Sequence, residues 1–444
     1  MTIVLRDLQP CFEGVIPSVI STTAANGTPN ISYLSHVVMA HEAHVALSNQ
    51  FFAKTAANVR ANPSAAILLV DPRNGVQYCL NVTWDRSLDD GPLFDQVAEQ
   101  LRASSAQVGM SGIMRLKAVD IFRVDSIETV PSAIEQDLAA AAAEVPDLPA
   151  LAAITERIGA QTEAEGVIDA LLCGVCKELR FEHAIVLLGD GTRDVLTTIA
   201  SLGYERSGVG SEVPLDEGLI GTAAAAARTV KVNDVSRIRR FGAAIEATSS
   251  DENRTRTIAL PGLPDALSQI AVPLVAQGKM RGVLFVESRE RLAFSQTHAV
   301  ALEMIAAQAA AALALCEIAA SEPPDDDRTS TPAPRPGKAI HVTHHRFDDS
   351  VFIDNVYVIK GVAGRLLMFM LESHLDEGRH EFTNREMRLS ESLRLPEIKD
   401  NLETRLLLLR RRLDEKALGV RLIHVARGQV RLEIEGSPKV QWAG

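Results

Sequence analysis

Short stretches in which apolar and polar residues alternate open the chain. Ser18–Thr23, Asn30–Met39, His44–Ser48 and Ala65–Val70 carry the period of two expected of half-buried strands. Turn chemistry separates them, most clearly at Ala25-Asn26-Gly27-Thr28, where Asn-Gly is the strongest short hairpin signal. One helix is predicted over Phe51–Ala61, before Asn62-Pro63, and another over Leu93–Ser104, after Gly91-Pro92. The pattern over 1–130 predicts a small barrel.

Past that point the period lengthens. Leu151, Ile154, Ile158, Val167, Ala170, Leu171, Val175 and Leu179 recur at helical spacing across Leu148–Arg180, and a strand follows at Ala184–Leu188. The helices around 150–180 and 297–320 carry apolar stripes wider than one sheet needs. The run Ala306–Ala312 permits close helix approach, so a dimerising bundle is expected. The last quarter predicts strands at Val351–Ile353 and Val356–Ile359, then helices at Gly364–Ser373, near Asn384–Leu393 and at Ile398–Lys416. Strands at Arg421–Ala426 and Val430–Ile434 end it.

Two breaks divide these patterns. Ser321–Lys338, rich in Pro, Asp and small polar residues, has no apolar period and reads as a solvated linker. A softer break covers 131–149. The resulting plan is a barrel at 1–130, a connector at 131–149, a middle domain at 150–320, the linker at 321–338, a third domain at 339–436 and a tail at 437–444.

Composition narrows the class. With 444 residues, 46% of them hydrophobic, several sizeable cores are expected and disorder is excluded as a default. No run of about 18 apolar residues and no signal-like N-terminus is seen, so a cytoplasmic protein without membrane contact is expected. Five scattered cysteines suit free thiols in a reducing compartment. The formal charge is −12, yet from Lys338 onward 18 Lys and Arg outnumber 16 Asp and Glu, and six of the eleven His lie there. Any nucleic-acid contact therefore belongs to the C-terminal part.

Particular residues then suggest chemistry. SNQFFAKTAANVRANP, with PNISYLSHVV before it and GPLF and VGMSGIMRLKAVDIFRV after it, resembles the pyridoxamine phosphate oxidase-like split barrel over about 5–130. That family commonly binds flavin mononucleotide between two subunits. The resemblance implies a flavin phosphate held by Lys54 and Thr55 at the helix start, where free amides and the helix dipole favour an anion. Ser48, Asn49 and Gln50 would be the neighbouring phosphate and ring contacts. The family's Arg and Lys on the preceding strand are replaced by Asn30-Ile31-Ser32-Tyr33-Leu34-Ser35, and its substrate-binding Arg and His motif is not recognisable. A ligand-sensing barrel is therefore expected over a turnover enzyme. His41 and His44 read as hairpin residues with no metal site; haem is the alternative cofactor, since related barrels bind it.

PLDEGLIGTAAAAARTVKVNDV, SQIAVPLVAQGKMRGVLFVES and FSQTHAVALEMIAAQAAAAL resemble the GAF domain, a sheet flanked by helices with a small-molecule pocket on one face. Arg237, Arg239, Arg240 and Phe241 fall in the segment that lids such pockets and read as an exposed basic loop. Cys173, Cys176 and Cys316 lie in apolar surroundings and read as core residues.

Leu409-Arg410-Arg411-Arg412-Leu413 followed by HVARGQVRLEI resembles the winged-helix domain of response regulators. That resemblance implies DNA contacts from Arg405, Arg410 and Arg411 on the long helix and from Arg427 on the wing. The run Leu406–Leu409 departs from the family pattern, because some of those leucines must face outward unless a partner covers them. The fold class is thus multidomain α+β: split β-barrel, GAF sensor domain, winged helix. The expected function is a one-component regulator that binds a flavin or other small ligand and signals to DNA. The alternatives are a flavin-dependent oxidoreductase with a GAF regulatory domain and a protein-binding scaffold. No catalytic residues are assigned.

Overall fold

The computed structural model describes residues 3–34, 36–49, 53–107, 116–131, 146–189, 193–215, 217–235, 256–320, 339–393, 395 and 402–443. Gln50 and the Arg237–Phe241 loop lie outside them.

A 3-10 turn at Leu5–Glu13 precedes seven strands: β1 (Ser18–Thr23), β2 (Pro29–Leu34), β3 (Val37–His41), β4 (His44–Asn49), β5 (Ser64–Val70), β6 (Gln77–Leu88) and β7 (Ala118–Val130). They form one antiparallel sheet in the order β2-β1-β5-β6-β7-β4-β3. The Asn-Gly turn closes β1 onto β2: Gly27, at φ +83°, sits where a side chain would be strained. The expected strand Asn30–Met39 is two strands, β2 and β3. The two longest strands, β6 and β7, escape the alternation pattern because bulges at Asn81/Val82 and Trp84/Arg86 shift their register. Helix α1 (Ala53–Ala61) plugs one end through Val59, which joins Ile20, Leu34, Ile67 and Phe122 in the barrel core. Helix α2 (Pro92–Gln107) covers the other face of β4 and β7 through Val97.

The middle unit begins with α3 (Leu148–Gly159) and α4 (Ala164–Cys173), followed by a π turn at Gly174–Glu178. The single helical period of the sequence is thus broken between Gly159 and Ala164. The sheet is β8 (His183–Gly189), β9 (Val195–Leu202), β10 (Glu212–Pro214), β11 (Val230–Val232), β12 (Ser268–Ala276) and β13 (Lys279–Ser288), in the order β10-β9-β8-β13-β12-β11. Helix α5 (Gly218–Ala226) packs on one face with Ile185, Leu187, Val283 and Phe285. Helices α3, α4 and α6 (Gln296–Ala320) pack on the other with Val186, Val272 and Leu284. Among the described residues α6 is the one helix long and apolar enough to cross a membrane, and its buried face is the core of this unit.

The third unit has strands β14 (Ala339–His345), β15 (Ser350–Ile353) and β16 (Val356–Ile359), then α7 (Gly361–Glu377), β17 (Glu381–Thr383), α8 (Asn384–Leu389) and α9 (Leu402–Lys416). Strands β18 (Val420–Ala426), β19 (Gln429–Ile434) and β20 (Ser437–Ala443) complete it. The segment expected as a tail is β20, paired in parallel with β14 and closing the sheet β16-β15-β14-β20; β17-β19-β18 form a second, three-stranded sheet. Trp442 anchors β20, edge-on to His344 at 5.2 Å and under Arg346 at 4.8 Å.

Candidate functional site

Residues of the barrel that the sequence groups together point to different places. Along β4, Val45 and Leu47 enter the barrel core while Ala46 packs toward α2. Alternation then puts Ser48 on the α2 side and Asn49 on the barrel side. The Ser48 hydroxyl is buried and makes no hydrogen bond among the described residues. The Asn49 amide donates to Asp120 Oδ2 at 2.9 Å, and Asp120 also accepts from Ser87. Thr55 Oγ1 lies 2.9 Å from Ser32 Oγ and accepts from Asn30 Nδ2 at 3.1 Å, while Asn58 Nδ2 donates to Thr22 Oγ1 at 3.0 Å. This is a closed, neutral network where a phosphate site would need cations. Lys54, exposed one residue away, is the charge nearest to it in sequence. Within one chain, Thr55 and Asn49 thus belong to separate hydrogen-bonded groups, and no hydrogen bond joins Ser48, Asn49, Lys54 and Thr55 to one another among the described residues. His41 and His44 pair across the β3–β4 hairpin with ring centroids 6.2 Å apart, and no metal-binding cluster occurs among the described residues.

The α5 face of the middle sheet holds a buried carboxyl. Glu287 accepts from Tyr204 Oη at 2.8 Å, Gln269 Nε2 at 2.8 Å and the Leu263 amide at 3.0 Å. Burial pushes Glu287 above the usual carboxyl range, and burial with the neighbouring Glu287 raises Tyr204 as well. The same principle acts on the thiols: burial lifts Cys176 to about 11 and raises Cys316, on the buried face of α6, so neither is poised as a thiolate.

The densest charged site lies where α9 meets the middle unit. Leu402, Leu406, Leu409 and Leu413 fill the third unit's own core. Leu407 instead joins the core of the middle unit, and Leu408 packs against both cores. The leucine run is apolar on every side because it is covered on every side: the partner is the chain's own middle domain. On the same face Arg410 pairs with Glu165, and Arg411 reaches Asp169 at 2.6 Å and Glu165 at 3.6 Å, both acids standing on α4. His424 Nδ1 lies 3.2 Å from Glu163 at the α4 N-cap. Burial pulls the Arg410 guanidinium below its ordinary range, and Glu163 opposes that. Exposed Arg427 lines the cleft between this hairpin and α4, and Arg405 faces a separate cavity beside β9. Gly210, at φ +88°, lets the loop after β9 come up against Leu408 and Arg412.

Arg412 has a different role from its neighbours. It is fully buried, donating from Nε to the Val358 carbonyl at 2.9 Å and pairing with Glu415 at 2.9 Å. It is an internal strut, and no periodicity argument separates it from the two interfacial arginines before it.

Contacts also join the first two units. Glu13 accepts from Lys231 Nζ and Asn233 Nδ2, each at 2.8 Å, which ties the 3-10 turn to β11 and the loop after it.

Residues 161–314 match the family model described as GAF domain, and residues 7–126 match that described as Pyridoxamine 5'-phosphate oxidase. The chain thus carries a pyridoxamine phosphate oxidase-like domain followed by a GAF domain. Among solved structures, it is similar to the GAF domain from an Acinetobacter phosphoenolpyruvate-protein phosphotransferase. That likeness has 23% identity and a TM-score of 0.31, covering 38% of this chain and 92% of that one. Similarity to an FMN-binding protein from Syntrophomonas wolfei subsp. wolfei reaches 17% identity and a TM-score of 0.25, with 29% and 87% covered. For HupZ from Group A Streptococcus the values are 19% and 0.24, with 30% and 99% covered. No curated protein matches the chain.

Proposed function

We propose that this chain is a ligand-responsive regulator: the barrel and GAF domains bind small molecules, and the third domain delivers the output to DNA through α9 and the β18–β19 hairpin. The observation that carries this reading is the docking of Arg410 and Arg411 on Glu165 and Asp169. The cations that a winged-helix reading would offer to phosphates are engaged by carboxylates of the middle domain, which supports reading this arrangement as a closed state. A ligand that favours the undocked state would free them.

Electrophoretic retention of a duplex DNA by the full chain tests this, with wild type compared against Glu165→Gln combined with Asp169→Asn. The double variant is expected to bind at least about tenfold more tightly at low salt, in step with its larger undocked population, with affinity falling steeply as salt rises. If neither protein retains DNA at low ionic strength, the output is a protein contact.

For the barrel, flavin mononucleotide is the first ligand to test, with haem the alternative; the match over 7–126 supports it, while the geometry of Thr55 and Asn49 does not add to it. The visible spectrum of the purified protein, repeated for Lys54→Ala, decides between a bound chromophore and a colourless scaffold. Self-association is proposed through α6, whose Val300, Met304, Leu315 and Ile318 are 44–67% exposed along one side. Sedimentation of Leu315→Glu with Ile318→Glu tests it: a monomer is expected where wild type dimerises.

A further inference from the structure

Between the middle and third units lies a cavity of about 290 Å³, separate from the Glu287 cluster on the opposite face of the sheet. Both units build it: β8, β9 and β10 from one side, the start of α7 and the face of α9 from the other. Four of its lining side chains are cations, Arg193, Lys360, Arg365 and Arg405, and one, Glu212, is a carboxylate. Glu212 holds Arg193 at 2.8 Å and Lys360, across the domain boundary, at 3.6 Å. Arg365 is fixed by Asp349 at 2.7 Å and by the Leu393 carbonyl at 3.0 Å. The cations are thereby positioned around the cavity rather than swept over a surface, and two domains supply them.

The remaining wall is apolar. Leu188, Ile199, Ile258, Tyr357, Ile359 and Leu408 line it. The volume is at the lower end of the range for small-molecule sites, and convergent charge on an apolar wall is their usual construction. Four cations against Glu212 and Asp349 leave a net positive wall, which favours an occupant that is small, negatively charged and apolar in its body. Arginines suit phosphate oxygens through paired N–H donors, and a lysine adds a point charge.

We propose that this interdomain cavity binds a small phosphate monoester with an apolar body, and that the bound ester bridges the two domains and holds α9 docked. The inference rests on the docked arrangement of the two domains and not on DNA being the output.

Isothermal titration of the full chain with phenyl phosphate tests it, with inorganic phosphate, benzoate and phenol as comparators. Wild type is expected to bind phenyl phosphate more tightly than inorganic phosphate and not to bind phenol. Lys360→Gln and Arg405→Gln, both on partly exposed side chains, are each expected to weaken binding about tenfold, the loss of one charge-assisted contact. Amide exchange along α9 should slow on addition of phenyl phosphate. Three results would overturn the proposal: no heat at millimolar phenyl phosphate, affinity unchanged in both variants, or benzoate bound as tightly as phenyl phosphate. Because no nucleic acid is present in this experiment, a failure of the DNA reading leaves its outcome intact.

Discussion

Replacing Glu165 by Gln and Asp169 by Asn removes the two carboxylates ion-paired with Arg410 and Arg411 while keeping side-chain volume. Arg411 is 17% and Asp169 59% exposed, so that pair resembles a surface ion pair worth about 0.5–1 kcal/mol. Arg410 is 16% exposed and Glu165 34%; losing Glu165 takes the paired counter-ion from a guanidinium largely out of water, with Glu163 and Asp414 still near it, a cost of about 1–2 kcal/mol. Together the two changes should weaken docking by about 1.5–3 kcal/mol, a rise of roughly ten- to a hundred-and-fiftyfold in the undocked population. Hydrogen exchange in the full chain reads this directly, because α4 amides and the middle-unit face of α9 lose cover together when the units separate. Both sets should exchange faster in the double variant, while the barrel strands keep their wild-type rates. The gap should narrow in high salt, since these charges are only part buried. If exchange at α4 and α9 matches wild type at low ionic strength, the ion pairs contribute nothing and Leu407 and Leu408 alone hold the interface.

Leu407→Ala should cost about 2–3 kcal/mol of docking, read as earlier thermal melting of the middle unit, whereas Leu409→Ala should lower the melting of the third unit. Arg412→Met should destabilise the third unit by about 3 kcal/mol in urea unfolding, because the Val358 carbonyl and Glu415 lose their buried partner. Burial pulls the His36 imidazole from 6.5 to about 4, so the folded barrel keeps it neutral while the unfolded chain protonates. Stability from this group is complete above pH 6.5 and is lost as pH falls toward 4, by roughly 3 kcal/mol; a urea midpoint that stays flat across that window would refute it. Gly210→Ala places a Cβ 2.8 Å from Ile258 at a positive φ and should loosen the contact with α9 by about 1 kcal/mol, seen as faster exchange there.

Periodicity made the short strands legible. Ser18–Thr23 is β1 as expected, because one face meets the core and the other the solvent, and Asn26-Gly27 fixed the turn after it. It did not reveal the helix break after Gly159, since α3 and α4 bury the same face against α6 and the apolar spacing continues through the corner. Nor did it show β20: Ser437–Ala443 is an edge strand with little burial, and its partner β14 lies far back in the sequence. The site was legible in part. The sequence assigns Arg410 and Arg411 to DNA, whereas they pair here with Glu165 and Asp169, and it marks the leucines beside them as needing cover. What no local pattern could supply is that the same chain provides both the counter-charges and the cover. In the barrel the reverse held, for Ser48 and Asn49 are neighbours in sequence and diverge in space because they lie on a strand.

The parallel pairing of β20 with β14 bears on how the third unit is made. β14 opens that unit and β20 follows every other element in it, so a ribosome releases the inner strand first and its neighbour last. Until then the flank of β14 is an unsatisfied edge, and the helices between must collapse around an incomplete sheet. The sheet β16-β15-β14-β20 is thus complete only once Ser437–Ala443 has paired across nearly the whole unit, a contact whose loop-closure cost the intervening helices must offset.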